Sequence, residues 1–426
     1  MSYESTLAYI HSVKWQKRKP GLSRTRALLT ALGNPERQLK FVHIAGTNGK
    51  GSTAAMIASC LKASGYRVGL YTSPYINRFN ERIQVNGVPI SDMALEQVVN
   101  AIRDKADSMA DSPTEFEMIT AIAFLYFLRQ RCDIVVLEVG LGGALDSTNV
   151  IGVPECAVIT ALGMDHVKEL GPGLAEIASA KAGIIKEKGS VVSYGGEPEA
   201  DAVIMQAVRE RSAQLEQVDF DKLTIQSSDL NYTTFDFGDR KQLQIPLLGA
   251  YQPKNAAVAI TVLEVLRKKG WAIPEHSIRD GLRDVKWSGR FELLRKEPIF
   301  LLDGSHNAHG MRATVESLQK TFPGQKFVFL FSVMADKDVD EMISLLAPLS
   351  ERFITVTAEN PRAMKAPELA QLLREKGLDA APVSSIAEGV AEAVATGKPV
   401  CALGTLYFSG DVRCALEKLL EEKENS

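Results

Sequence analysis

Short runs of consecutive apolar residues alternate along the chain with longer stretches in which apolar residues recur at three- and four-residue steps. The first pattern reads as strands buried on both faces, and the second as helices laid against them. Strands are predicted at 41–45, 67–72, 134–139, 157–162 and 190–194, with helices at 52–64, 94–105, 116–130 and 174–185. Such an alternation predicts a mostly parallel sheet covered on both faces, with ligands at the carboxyl ends of its strands. The polar residues that stand out fall there: the loop from Gly46, Thr72-Ser73-Pro74, Glu138 and Asp165-His166. Over 215–246 the pattern changes. Segments 234–237 and 242–245 alternate polar with apolar, which predicts an antiparallel excursion. A helix over 255–268 follows and stops at Gly270. A second α/β series begins near Pro298, with strands at 299–302, 326–331, 352–356 and 399–403, and Trp287-Ser288-Gly289-Arg290 reads as a hinge before it.

The length of 426 residues suggests two or three domains with ample core. A composition 45% hydrophobic and 24% charged, with net charge −3, is that of a soluble globular protein and gives no sign of a nucleic-acid or membrane surface. The basic run at 14–19 reads as a solvated face. The five cysteines are scattered, without C-x-x-C, as expected of reduced thiols in a cytoplasmic protein. The N-terminus lacks an apolar signal core, and the longest mainly apolar stretch, 118–128, is too short to span a bilayer.

The most informative segment is His43-Ile-Ala-Gly-Thr-Asn-Gly-Lys-Gly-Ser-Thr53, placed between a predicted strand and a predicted helix. Glycines there let backbone N–H groups approach an anion, and Lys50 adds a positive charge. The spacing differs from the common P-loop, which wants glycine where this chain has Ile44 and a hydroxyl where it has Gly51. Nucleotide binding, with Mg²⁺, is the expectation. Glu138 ends an apolar strand and is followed by glycines. It suits a Mg²⁺ ligand, the plainer alternative being a carboxylate that caps a turn. His166 ends the next strand, predicted to neighbour that of Glu138, and is read as a second ligand. Lys181 falls on the apolar stripe of its helix, with Leu174, Ile177, Ala178, Ile184 and Ile185. Either it is buried with a lowered pKa and a reactive neutral amine, or it snorkels to water. Thr114 and Glu117 form a capping box, which explains both without a ligand. Asp303 ends the strand at 299–302 and could cap the following helix. Ser305 and His306 are adjacent in a turn, where nucleophile and base seldom align.

Taken in order, His43–Thr53, Thr72–Pro74 with Asn80-Glu81-Arg82-Ile83, 137–149, 159–166, 180–186, 287–292 and 302–310 resemble the folylpolyglutamate synthase/dihydrofolate synthase family of the Mur ligase superfamily, over nearly the whole chain. The resemblance implies a P-loop-type, mostly parallel ATPase domain carrying the folate site (1–290), followed by a smaller Rossmann-like ligase domain (291–426). It implies an ATP-dependent ligase that adds L-glutamate to dihydropteroate, to a folate, or to both. Because water would hydrolyse an acyl-phosphate intermediate, closure of the second domain over the first is expected, with 287–290 as hinge. Thr47, Asn48, Gly49, Lys50, Gly51 and Ser52 would hold ATP phosphates, with Asn255, Arg290 and Asp303 as further ATP contacts. Ser52, Glu138 and His166 would ligate Mg²⁺. Lys181 matches a lysine that the family carries as a carbamate supporting a second Mg²⁺, and a monovalent cation is a further candidate. His306 lies where the family receives glutamate. Leu22, Ser23, Arg24, Thr114, Glu115, Phe116, Glu117, Leu145, Asp146 and Ser147 would face the pterin. A monomer acting on small molecules is expected. Three positions depart from the family pattern: Ala144 for arginine, Tyr251 for histidine and Ala308 for proline. Of these, Ala144 bears on acceptor choice. Another Mur-type ligase with a different acceptor and a non-catalytic nucleotide-binding protein are the alternatives.

Overall fold

The computed structural model describes residues 2–12 and 21–424; the basic run at 14–19 lies outside the described residues. The chain divides into two compact units, residues 1–223 with 254–285, and residues 224–253 with 286–426. Residues 224–253 and 286–290, grouped with the first part in the sequence reading, cluster with the second.

The first unit holds an eight-stranded sheet. Its strands are β1 (Phe41–Ala45), β2 (Val68–Tyr71), β3 (Ile83–Val85), β4 (Val88–Pro89), β5 (Ile134–Glu138), β6 (Cys156–Ile159), β7 (Ser190–Ser193) and β8 (Gln214–Gln217), in spatial order β4-β3-β2-β5-β1-β6-β7-β8. The run from β2 to β8 is parallel, and β3 and β4 add an antiparallel edge. The strands β1, β2, β5 and β6 are buried at every residue, as their mainly apolar runs predict, including His43 in the middle of β1 and Glu138 at the end of β5. One expectation fails. The Glu138 strand and the strand leading to His166 are not neighbours; they flank β1 on opposite sides. Both tips therefore border the glycine loop that leaves β1, with Ile44 level with Glu138 and Ala45 level with Ile159. β8 was also not anticipated. It lies at the edge, where polar Gln214, Glu216 and Gln217 can face water, so no apolar run marks it.

In the second unit, β9 (Leu223–Ser228), β10 (Thr233–Phe237) and β11 (Arg240–Ile245) form the expected antiparallel excursion, with β10 and β11 paired antiparallel. A six-stranded sheet follows. It comprises β12 (Glu292–Lys296), β13 (Ile299–Leu302), β14 (Phe327–Phe331), β15 (Ser350–Thr355), β16 (Ala380–Pro382) and β17 (Val400–Leu403), in the order β12-β13-β17-β14-β15-β16. The period of two is visible in β14. Phe327, Phe329 and Phe331 pack with the helices Ala308–Thr321 and Val339–Leu346, whereas Val328 and Leu330 pack with Ile386–Ala395 and Ser409–Glu424. The helix after β13 and the helix after β17 thus lie on opposite faces. Adjacent strands whose helices diverge in this way open a crevice at their carboxyl ends. The turn at 303–307 borders it on one side and 404–408 on the other.

Candidate active site

The glycine loop is held from beneath by its neighbours. Thr47 and Asn48 donate their backbone N–H groups to the carbonyl of Ala161 (2.9 and 3.1 Å), and the Thr47 hydroxyl donates to Gly163 O at 3.0 Å. Those two amides therefore face the segment after β6 rather than an anion. The first-turn amides of the following helix, Lys50–Ala63, lie outside the helix's own ladder and are the ones whose direction suits an anion. Gly49 precedes that helix in a left-handed conformation (φ 86°), and no side chain caps it. Two glycines are dictated by contact. A Cβ on Gly46 would fall 1.8 Å from Thr160 Oγ1, and one on Gly49 would fall 2.5 Å from Asn255 Oδ1. The second clash places the side chain of Asn255, from the helix Gln252–Lys268, against the loop.

Two lysines converge on the loop. Lys50 Nζ donates to the carbonyls of Gly46 (3.1 Å) and Thr47 (3.0 Å), and Lys181 Nζ donates to the same Gly46 carbonyl at 2.8 Å. Lys181 is only 5% exposed, so the snorkelling alternative is wrong. Burial first, and then the charge of Lys50, push its pKa down to about 7, against the opposing pull of Asp165 and Asp146. Its helix ends at Ala182, so Ile184 and Ile185 complete the apolar stripe from the following turn. Glu138 is buried at the tip of β5, and one carboxylate oxygen accepts from the backbone N–H of Ser73 at 3.1 Å. Ser73 was noticed only as part of a strand tip; its link to Glu138 brings it into the site. His166 sits in a left-handed conformation (φ 53°), its Nε2 3.8 Å from Asp165 and its Nδ1 3.8 Å from Glu169.

The buried Ser52 hydroxyl comes from the first turn of the helix after β1, the Glu138 carboxylate from the tip of β5, and the His166 imidazole from the segment after β6. Two oxygen donors and one imidazole fit a hard divalent cation that takes its other ligands from phosphate and water. Among the described residues, no group of three or more His, Cys, Asp and Glu forms an all-protein cage.

The residues expected at the pterin side are placed by local bonds. Leu22 precedes the helix Ser23–Ala31 as its N-cap, and Ser23 is exposed. Arg24 is buried and makes a bidentate pair with Glu117 (3.0 and 2.9 Å). Glu117 also accepts from Thr114 N at 2.7 Å, and Thr114 Oγ1 from Glu117 N, so the capping box forms as expected. Glu115 pairs with His11 at 3.1 Å. Phe116 packs against Gly140 and the Tyr71 ring. Leu145 is 59% exposed, a large apolar side chain open to a ligand. Asp146 is buried and accepts from the amides of Leu141 and Thr148, both at 3.0 Å, while Ser147 Oγ is 2.6 Å from Thr120 Oγ1. A Cβ on Gly183 would clash with Ala144, which accounts for that glycine; nothing in the structure explains alanine rather than arginine at 144.

Asp303, Arg290 and His306 gather within the second unit. Asp303 is buried and receives four donors: Ser305 N (2.9 Å) and Thr314 Oγ1 (2.8 Å) on one oxygen, Phe291 N (2.7 Å) and the Tyr251 hydroxyl (3.4 Å) on the other. It is not the helix cap. Asn307 is, its Oδ1 accepting from Gly310 N at 2.7 Å. Tyr251, the departure from histidine, supplies one of those four donors; burial and the Asp303 charge raise its pKa well above the ordinary value. Arg290 lies over Gly304. His306 Nδ1 is 2.9 Å from Gly304 O, and the Ser305 hydroxyl points at Met311 Sδ, so no hydrolase dyad forms. Ser409, missed in the sequence, begins the helix Ser409–Glu424 beside the crevice; it is fully buried and its hydroxyl has no partner. Only its orphaned hydroxyl marks it, and that is visible only once the chain is folded.

A nucleotide loop with two converging lysines, joined to a second α/β unit, is the arrangement of a Mur ligase. Residues 44–263 match the Mur ligase middle domain and residues 289–404 the Mur ligase glutamate ligase domain, and the chain belongs to that family. It is 36% identical to a dihydrofolate synthase/folylpolyglutamate synthase of Bacillus subtilis (strain 168), over 98% of this chain and 99% of the relative. Among solved structures it resembles Mycobacterium tuberculosis folylpolyglutamate synthase complexed with ADP (28% identity, TM-score 0.90, 97% of this chain and 98% of that one). It also resembles E. coli FolC in complex with DHPP and ADP (28% identity, TM-score 0.86, 100% and 99%). Within the Mur ligases it therefore belongs to the folylpolyglutamate synthase/dihydrofolate synthase group, and it is an ATP-dependent ligase.

Proposed function

We propose that this enzyme joins L-glutamate to dihydropteroate, to reduced folates, or to both, through an acyl phosphate. The Lys50 ammonium at the loop, with the helix start behind Gly49 that no side chain caps, carries this reading, because it places positive charge where a triphosphate would lie. A carboxylate is a poor acylating agent. Its oxygen attacks the γ-phosphorus of ATP, ADP leaves, the glutamate amine attacks the activated carbonyl carbon, and phosphate departs. The first step brings anions together, and two unit charges about 4 Å apart repel by roughly 4 kcal/mol at an effective dielectric near 20. The first-turn amides of Lys50–Ala63 and the Lys50 ammonium offset that repulsion in place. Ser52, Glu138 and His166, with Ser73 steadying Glu138, would hold Mg²⁺, which when bound neutralises phosphate charge.

The remaining site assignments belong to the same proposal. Gly49 to Ser52 line the phosphates, with Thr47 and Asn48 fixing the turn before them, and Asn255, Arg290 and Asp303 contact the rest of ATP. Asp303 acts there through the Arg290–Phe291 segment it holds as well as directly. His306 and the orphaned Ser409 hydroxyl receive glutamate. Leu22–Arg24, Thr114–Glu117 and 145–147 border the pterin; the relative FolC was solved with DHPP and ADP. Residues 1–290 would carry ATP and acceptor chemistry and 291–426 the glutamate side. With a pKa near 7, Lys181 holds a neutral amine in quantity at neutral pH. That amine can add CO₂ and release a proton to give a carbamate, whose negative charge would support a second cation. No helix among the described residues is long and apolar enough to cross a membrane. A cytoplasmic monomer completes the proposal, with sedimentation testing the second point.

One isotope experiment tests the mechanism. The acceptor carboxylate is labelled with ¹⁸O, and the released phosphate is expected to carry one labelled oxygen; unlabelled phosphate rules out the acyl phosphate. Acceptor choice is read by ADP formation with dihydropteroate and then with tetrahydrofolate, each with and without glutamate.

A further inference from the structure

His43 is the residue that strand physics explains least. It is the middle residue of β1, fully buried, three positions before Gly46, where a valine or leucine would satisfy the sheet. Its Nε2 lies 2.9 Å from Thr148 Oγ1, and that hydroxyl donates to Asp146 Oδ1 at 2.5 Å. A hydroxyl has one proton, and here it goes to the carboxylate. Nε2 must therefore be the donor to Thr148, which leaves Nδ1 bare. Nδ1 has no partner in its buried setting. Burial and the neighbouring Lys186 charge push the ring's pKa down to about 3, so it is neutral throughout the working range. Asp146 Oδ2 meanwhile accepts from Leu141 N at 3.0 Å. A single-file chain thus runs from the strand that bears the phosphate loop, through Thr148, to the loop 141–147.

We infer that His43 is a positioning residue for the acceptor. It orients the Thr148 hydroxyl towards Asp146 Oδ1, fixes the carboxylate's rotation, and so presents the second oxygen of Asp146 to an N–H donor of the acceptor's heterocycle. A buried histidine with an orphaned nitrogen is a cost to stability that an apolar residue would avoid, and the chain it starts gives that cost a purpose. The inference rests on the proposed placement of the acceptor beside Asp146. It adds the device that couples the phosphate-loop strand to the acceptor loop.

The test compares full-length wild type, His43→Leu, His43→Gln, Thr148→Val and Thr148→Ser in steady-state kinetics with a folate acceptor. His43→Leu and Thr148→Val are expected to raise the acceptor KM about tenfold, the equivalent of one lost hydrogen bond, and to leave the ATP KM within about twofold. His43→Gln, whose amide can replace the Nε2 donor, and Thr148→Ser are expected to recover most of that loss. A merely structural role would move both KM values together or lower kcat alone, and either result overturns the inference, as does an unchanged acceptor KM. If the leucine variant does not fold, ¹⁵N-histidine spectra of the wild type decide instead. Nε2 protonated and Nδ1 bare from pH 5 to pH 8 supports the chain; the opposite tautomer, or titration in that window, refutes it. A wild type inactive with every folate acceptor removes the functional reading and this inference with it. An active wild type whose leucine variant keeps its acceptor KM removes the inference alone.

Discussion

Each unit starts a helix directly after a buried parallel strand, and the two beginnings are built in opposite ways. The helix Ala308–Thr321 closes its own N-terminus, with Asn307 accepting from Gly310 N and Asp303 gathering the turn before it. The helix Lys50–Ala63 has Gly49 at that position and no side-chain cap, while two lysines stand at the loop behind it. A helix start that the protein caps internally serves the fold. One left to a glycine, with the Lys50 cation beside it, is shaped for an anion from outside. The same sequence signature, a strand followed by a polar turn, thus carries two meanings, and the partners of the turn decide between them.

The sharpest way to break this contrast is Lys50→Ala. It is expected to lower ligation at least about a thousandfold, roughly 4 kcal/mol of transition-state stabilisation, while the thermal melt stays that of wild type. An active Lys50→Ala enzyme would remove the phosphate role of the loop. On the internally closed side, Asp303→Ala strips four donors of their acceptor and should cost about 3 kcal/mol of stability, measured by urea unfolding. A loss of ATP affinity with unchanged stability would instead make Asp303 a ligand group rather than a brace.

Lys181 offers a pH test. Its folded pKa of about 7 lies below the ordinary 10.5, so between those values the unfolded chain holds one more proton than the folded one. Stability of the unliganded protein in CO₂-free buffer should therefore rise with pH across that window, by about 2 kcal/mol from pH 7 to pH 9, with the full penalty present below pH 7. Lys181→Met should flatten that part of the curve. For activity, Lys181→Ala should be nearly inactive and partly rescued by a small carboxylate. The smallest effect belongs to Asn307→Ala, expected to cost about 1 kcal/mol of stability and to leave the ATP KM unchanged.

Much of this was legible in the chain. Mainly apolar runs mark β1, β2, β5 and β6, and the spacing of glycines around Lys50 marks the phosphate loop. The capping box of Thr114 and Glu117 was visible as well, because it is local. What was not legible is what depends on contacts distant in sequence. Strand order is one case: β1 inserts between β5 and β6, so the tips of Glu138 and His166 flank the loop instead of sitting side by side. Lys181 is another. Its helical stripe left burial and snorkelling equally open, and only the carbonyl of Gly46, 135 positions away, decides for burial. Ser73, Ser409 and the His43–Thr148–Asp146 chain are similar. Their residue types are ordinary, and their roles come from partners that no local period predicts.

The measurement that bears most directly on the central claim is a crystal structure with a non-hydrolysable ATP analogue and Mg²⁺. The β- and γ-phosphates should lie on the amides that open the helix Lys50–Ala63, with Lys50 turned from the Gly46 carbonyl towards them. An analogue bound elsewhere, or a loop at 46–52 that stays closed to it, would contradict the account.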